Sequence, residues 1–386
     1  MENISDDKTG KTLLWMFDSP EKLKEDLRKY VPLSASFQRF GKEFLKLEWR
    51  IIVMKEYTKE QAMAWMNEKG KNACPFLFII DYKQKRIKLE TLDRVDTNAV
   101  LYDLNGMTNL SESQRQLISP LKSEAVTWQP TYPTFEKYAH SFDLVARHLQ
   151  ANDTCLVNLT CATPVETNLS FLDIFYQAKA LYKLWVKDEL VVFSPEIFVR
   201  MRDGFIYSYP MKGTIDATIP NAEKLILENP KEAAEHASVV ELIRDDLSRV
   251  SSEIDVPRYR YIDKLQTNKG PLLEVSSEVR GRLPEDWKGH LGDFLFALLP
   301  AGSITGAPKE KTMEIIEEAE CYERGFYCGV MGYFDGKQLD SSVMIRFMDQ
   351  QADGTFVFKS GGGITSQSNV ELEYNEVKQK VYVPIY

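Results

Sequence analysis

Leu181-Tyr182-Lys183-Leu184-Trp185-Val186, Glu189-Leu190-Val191-Val192-Phe193, Ile197-Phe198-Val199-Arg200 and Phe205-Ile206-Tyr207-Ser208-Tyr209 follow one another along the chain. Each piece is short and rich in β-branched and aromatic residues, and turns such as Ser194-Pro195-Glu196 separate them. Strands joined without intervening helices predict antiparallel sheets, and helical segments before and after the group make the class α+β. The group ends in Pro210-Met211-Lys212-Gly213-Thr214. Pro210 cannot donate to a ladder and Gly213 permits unusual dihedrals, so a strand is expected to end there with Lys212 at its tip. A desolvated lysine can act as nucleophile or base, although a lysine at a strand end by itself is usually a solvated surface residue.

Upstream, Phe171 to Ala180 reads as a helix, Cys155-Leu156-Val157-Asn158-Leu159-Thr160 as a buried strand, and Thr134 to Ala151 as an amphipathic helix. Its stripe is Phe135, Tyr138, Phe142, Val145 and Leu149. Phe76 to Asp81 and Arg86 to Leu89 form a hairpin pattern. Earlier signals are sparse: a helix opening at Ser19-Pro20-Glu21 and running to about Tyr30, a strand from Phe44 to Val53, and a helix from Thr58 to Asn67. Residues 1–65 are therefore expected to be an appendage of unknown role, and residues 66–386 one α+β body.

The 386 residues carry a net charge of -9, which argues against nucleic acid or an anionic membrane as the main partner. An anionic substrate would need local cations against that overall field. Five cysteines without a CxxC pair read as free thiols of a reducing cytoplasm. Four histidines supply zinc clusters and Ser-His-Asp triads poorly. The first residues show no signal peptide, and no apolar run is long enough to span a bilayer. The expected location is cytoplasmic.

Downstream, Pro230 to Val250 is the longest helical pattern. Ala237, Val240, Ile243, Leu247 and Val250 form one stripe, and Glu235, Val239, Leu242 and Asp246 a second, so the helix is expected to pack on both sides. Glu235 then ends a buried stripe and needs a cation, unless it simply pairs on the surface. Two glycine-rich segments read as anion-binding loops: Gly302-Ser303-Ile304-Thr305-Gly306-Ala307-Pro308-Lys309, which opens a helix, and Ser360-Gly361-Gly362-Gly363-Ile364 after a strand. Either can equally be a tight structural turn. On the final helix, Asn369 to Tyr382, Glu373 and Glu376 lie about 4.5 Å apart along the axis. They suit a shared cation such as Mg²⁺ or, as well, a solvated face with Glu376–Lys380 as an i,i+4 pair.

In this order and spacing, Pro210-Met211-Lys212-Gly213-Thr214, Ala234-Glu235-His236, the Gly302–Lys309 segment, Ser360–Ile364 and Glu373-Tyr374-Asn375-Glu376 resemble the chorismate-utilising enzymes over roughly residues 70–386. That family comprises anthranilate, aminodeoxychorismate, isochorismate and salicylate synthases. The resemblance implies two large, mostly antiparallel sheets packed face to face with helices outside. Within the family it favours the aminating branch, the aminodeoxychorismate synthase component I type. Members making anthranilate, isochorismate or salicylate usually have alanine where Lys212 stands, and water-adding members carry a lysine where this chain has Leu156.

The resemblance implies Lys212 as a covalent nucleophile on chorismate and Glu196 as the general acid on the C4 hydroxyl. It implies Glu235, Glu373 and Glu376 as Mg²⁺ ligands, and Thr305, Tyr327, Arg346, Gly361, Gly363 and Lys380 as substrate contacts. Arg346 itself reads as part of a strand from Ser342 to Met348. Leu273 stands where several members have a histidine, which weakens an anthranilate reading. No Gly-x-Cys-x-Gly elbow of a glutaminase is present. Ammonia is thus implied to come from a separate glutamine amidotransferase subunit, with a downstream aminodeoxychorismate lyase releasing p-aminobenzoate for folate. Anthranilate or isochorismate synthesis on the same scaffold, and a silent chorismate-binding regulatory subunit, are the alternatives.

Overall fold

The computed structural model describes residues 54–116, 126–267 and 270–385. The expected helix at Ser19 to Tyr30 and strand at Phe44 to Val53 lie outside the described residues. The body begins earlier than residue 66. The strand Lys55–Tyr57 pairs with Ile87–Thr91, and the helix Lys59–Lys71 packs on the helix Leu291–Leu298. Thr58 caps that helix with a reciprocal Thr58/Gln61 box. Contact is so close that a Cβ at Gly292 would sit 2.5 Å from the Met63 carbonyl.

Two sheets form, and every pairing between described strands is antiparallel. The larger runs from Lys55–Tyr57 through Ile87–Thr91, Phe76–Ile80, Val330–Phe334, Leu339–Val343, Ile197–Arg202 and Phe205–Ser208 to the long strand Gly270–Arg282. That strand also pairs with Met211–Asp216 and Ser252–Thr267. The smaller sheet centres on Leu156–Thr167 beside Phe356–Ile364, then Phe347–Gln350, Leu190–Ser194, Tyr182–Val186 and Val100–Leu104. One shared core joins them: Phe78, Val330 and Met331 of the larger sheet cluster with Tyr182, Leu184 and Val192 of the smaller. Each such fully buried side chain contributes about 1.5–3 kcal/mol. On its other face the smaller sheet presents Trp185, Val191 and Phe193 to the helix Phe171–Gln177. Period-2 alternation with both faces covered explains why these strands read as unbroken apolar runs.

Two expectations change. The strand Phe205–Ser208 does end before Pro210 as expected, but a second one, Met211–Asp216, starts directly after it, so Lys212 lies near the start of a strand and not at the tip of one. Both run along Gly270–Arg282 on either side of the break, and the register slips between Met211 and Thr214, where Gly213 takes φ +86°. Lys212 therefore sits at a register slip on a strand at the edge of the sheet, the feature that re-aims a side chain. Nor is Ser342 to Met348 one strand. Leu339–Val343 belongs to the larger sheet and Phe347–Gln350 to the smaller, and the chain crosses at Met344–Arg346, with Arg346 at φ +49°. Ser194-Pro195-Glu196 is a second crossing, from Leu190–Ser194 to Ile197–Arg202. The two crossings hold each other: Phe193 N–H donates to the Arg346 carbonyl, and Val343 N–H to that of Glu196.

A buried ion pair fixes the floor beneath. Arg324 donates to Glu320 at 2.8 and 2.6 Å and to the carbonyls of Ile304 and Asn158. Arg324→Met strands the Glu320 charge, so the urea midpoint should fall by an amount equivalent to about 3–5 kcal/mol. Adding Glu320→Gln should recover part of it.

Candidate active site

Glu196, Lys212, Glu235, Ser303 and Leu156 line one cavity of about 870 Å³. Its long wall is the helix Pro230–Ser248, which starts on a proline with Asn229 Oδ1 accepting from Glu232 N–H at 3.2 Å. One stripe of that helix (Val240, Ile243, Leu247) is in the core as expected. The other, Glu235, Val239, Leu242 and Asp246, lines the cavity and is packed only towards its end, where Asp246 is buried against Lys309 at 2.6 Å and the Gly302 turn meets Leu242 and Asp246. Lys212 Nζ lies 3.1 Å from Glu235 Oε2, with both groups partly exposed.

A smaller cavity of about 190 Å³ adjoins it, sharing Glu196, Ser303 and Gly363 and adding Tyr327, Arg346 and Lys380. Arg346 reaches it from the sheet crossing and donates to the Lys380 carbonyl at 3.1 Å. Lys380 Nζ is held between Glu376 Oε1 at 2.7 Å and the Gly361 carbonyl at 2.8 Å. Burial first, then neighbouring charges, raises the Tyr327 hydroxyl well above its usual range, so it stays a neutral donor. A guanidinium, an ammonium and a phenol around so small a space suit a carboxylate.

The three glycines are not a loop. Phe356–Ile364 runs straight through them, pairing Gly361 with Thr160 and Gly363 with Asn158. Their amides lie in a strand; what they supply is a bare surface. A Cβ on Gly362 would lie 3.4 Å from Glu373 Oε2, 3.7 Å from Glu376 Oε1 and 3.8 Å from Lys380 Nζ. The Gly302–Lys309 segment is likewise no open amide cradle. It forms a 3₁₀ turn at Gly302–Ile304 and a two-residue strand against Leu156–Val157, and Pro308 is the cap before the helix Lys309–Ala319. Thr305 does not line either cavity. Fully buried, it donates its hydroxyl to the Ala301 carbonyl at 2.9 Å and so braces the turn.

Glu373 and Glu376 converge over Gly362 as their spacing predicts. Burial and then Glu376 push Glu373 up, against Ser368, Lys212 and Lys380. Burial would raise Glu376 too, but Lys380, Lys212 and Arg346 together outweigh it and hold the carboxyl below its ordinary value. The expected trio with Glu235 is not assembled as a metal cluster, and among the described residues no three acidic, histidine or cysteine side chains are gathered as one. Glu235 is turned to Lys212 instead, because the ammonium is the cation at hand. The pair over a side-chain-free floor nevertheless fits a hard cation that takes one or two carboxylates plus outside oxygens.

Glu196 is half-buried and lines both cavities. Burial raises it above its ordinary value, partly offset by a bond from Ser303 and by the field of Lys380. Sequence reasoning missed two neighbours. Ser303, quoted but not singled out, donates to Glu196 Oε1 at 2.6 Å. Glu274 is pushed up to about 7 by burial, then by Asp263 and Glu196. Leu273, beside it, is buried and lines neither cavity. A raised carboxyl favours the fold at acid pH and loses that contribution as pH rises through its folded value. Wild type should therefore lose roughly 2–3 kcal/mol between about pH 5 and pH 8 relative to Glu274→Gln, read by urea unfolding at each pH.

Comparison with known proteins gives a family match and three relatives. Residues 55–385 match the family described as chorismate binding enzyme. The chain is 46% identical over 332 residues to an uncharacterized PabA-like protein of Haemophilus influenzae, covering 86% of this chain and 99% of that one. It is 31% identical to aminodeoxychorismate synthase component 1 of Klebsiella aerogenes, over 78% of this chain and 67% of that one. To anthranilate synthase component 1 of Mycolicibacterium smegmatis it is also 31% identical, over 75% and 58% of the two chains.

Proposed function

From the premise that this chain belongs to the chorismate binding enzyme family, we propose that it is the aminating subunit of an aminodeoxychorismate synthase, replacing the C4 hydroxyl of chorismate with ammonia. One observation carries the choice within the family: Lys212 and Glu196 line the same cavity while Leu156, which cannot activate water, takes its place in the wall. The equal identity to an anthranilate synthase makes that reaction the runner-up.

In this reading Tyr327, Arg346 and Lys380 hold a substrate carboxylate in the smaller cavity. Lys212 attacks C2 as the free amine. Its new C–N bond forms as both conjugated ring double bonds shift and the C4–O bond breaks, and Glu196 gives its proton to the departing hydroxyl, which leaves as water. Ammonia then attacks C4, both double bonds return, the C2–N bond breaks and the new C4 ammonium gives a proton back to Glu196, restoring the lysine and the acid. Glu373 and Glu376, with Glu235 as a further carboxylate, would hold Mg²⁺, whose charge binds and orients the ring carboxylate.

Ammonia would come from a separate glutamine amidotransferase, since this chain has no Gly-x-Cys-x-Gly elbow. A lyase would then release p-aminobenzoate. No helix among the described residues is long and apolar enough to cross a membrane, and a cytoplasmic site of action is part of the proposal. Purified protein given chorismate, Mg²⁺ and ammonium at mildly alkaline pH should yield a product in which amine replaces hydroxyl, identified by mass spectrometry. Anthranilate or isochorismate would overturn the assignment. No product, even with a glutaminase added, would favour a regulatory subunit.

A further inference from the structure

We propose that Ser303 is the positioning residue of Glu196, fixing the carboxyl's rotamer and leaving the other oxygen, Oε2, to carry the proton. The inference rests on the general-acid reading of Glu196 only for its catalytic consequence; the pair itself stands on geometry. Backbone groups of Glu196 are clamped three ways. Its N–H donates to Ser194 Oγ, and its carbonyl accepts from Val343 N–H and Ser342 Oγ. The carboxyl has one hydrogen-bond partner among the described residues, the Ser303 hydroxyl at 2.6 Å. A neutral carboxyl has one accepting and one donating oxygen, so a donor on Oε1 leaves the proton to Oε2.

Ser303 is itself rigidly placed. Its 3₁₀ turn is closed by Ile304 N–H to Ala301 and by Thr305, which bonds Gly302 through its amide and Ala301 through its hydroxyl. Arg324 holds the Ile304 carbonyl at 3.1 Å. On the helix side, a Cβ at Gly302 would come 2.8 Å from Asp246 Oδ2 and 3.0 Å from Leu242 Cγ, so the turn fits against Pro230–Ser248 only without a side chain there. Thus the motif's threonine and glycine hold a turn whose serine meets the acid.

Other titratable groups act on Glu196 from several elements. Lys380 comes from the end of the last helix, Glu274 from the Gly270–Arg282 strand and Cys328 from the turn before Val330. Tyr327 and Arg346 face it across the smaller cavity and Lys212 across the larger. None of these is hydrogen-bonded to its carboxyl. Ser303 is therefore the group whose removal frees the rotamer.

Infrared difference spectra provide a test that needs no turnover. The protonated-carboxyl band of Glu196 is identified by its absence in Glu196→Gln and followed against pH. In Ser303→Ala the band should move to higher frequency and titrate at higher pH, since a donor that favoured the ionised form is gone. Ser303→Thr should restore both. With chorismate, Ser303→Ala should lower kcat about tenfold with little change in KM, and the alkaline limb of the pH profile should move upward. A band of wild-type frequency and midpoint in Ser303→Ala overturns the proposal whatever the activity. If the band shifts as expected but wild type makes no aminated product, the Ser303–Glu196 pair stands and the assigned reaction fails.

Discussion

Lys212→Ala is expected to reduce formation of the aminated product by at least about 10³-fold, because no second nucleophile replaces a covalent one. The structure makes this substitution unusually clean to interpret. Lys212 is partly exposed at the register slip, and its partner Glu235 reaches solvent, so breaking their pair should cost on the order of 1 kcal/mol of stability or less. A folded but inactive variant is then the expected result, with a thermal transition lowered by no more than about 3 °C. Chorismate binding should survive, since the carboxylate contacts lie on Tyr327, Arg346 and Lys380 in the adjoining cavity. Mass spectrometry of wild type quenched during turnover without ammonia should show an adduct on the peptide carrying Lys212. Full turnover in Lys212→Ala would eliminate the covalent route while leaving family membership intact.

The second large effect concerns the carboxylates over Gly362. Chelation of divalent cations should abolish turnover, and Mg²⁺ should restore it. Glu373→Gln combined with Glu376→Gln should remove that rescue and weaken Mg²⁺-dependent chorismate binding by at least about 100-fold, measured by calorimetry. Losing two ligands to a hard cation leaves only Glu235 and substrate oxygens. The double substitution relieves the repulsion on Glu373 but also breaks the Glu376–Lys380 pair, so stability should change by no more than about 1 kcal/mol. Undiminished chorismate binding in chelated protein would exclude the metal from substrate recognition. Restored activity in the double variant would place the cation elsewhere. Glu235 is the informative third case. Because it meets Lys212 here, Glu235→Gln should disturb both the lysine and the metal dependence, unlike either helical glutamate alone.

Local chemistry made much of this legible in the residues alone. The apolar strands from Tyr182 to Ser208 announced antiparallel sheets, and the i,i+3 glutamates of the final helix announced two carboxylates on one face. Period is a property of neighbours in sequence, so it survives without knowledge of the fold. The glycine-rich segments misled for the converse reason. Glycine permits a loop but does not require one, and whether Gly361-Gly362-Gly363 turns or stays extended depends on the Leu156–Thr167 strand beside it.

Sequence therefore determined the class of fold, the family, and the identity of Lys212, Glu196 and the acidic pair as candidates. Tertiary structure alone decided how they meet. Glu196 and Arg346 lie 150 residues apart, yet each sits where the chain leaves one sheet for the other, and those two crossings are hydrogen-bonded together. It also decided that Thr305 braces rather than lines the site, that Ser303 touches the acid, and that Glu235 turns to Lys212. Such contacts join residues far apart in the chain, and their distances are set by how two sheets pack over a shared core, which no local pattern encodes.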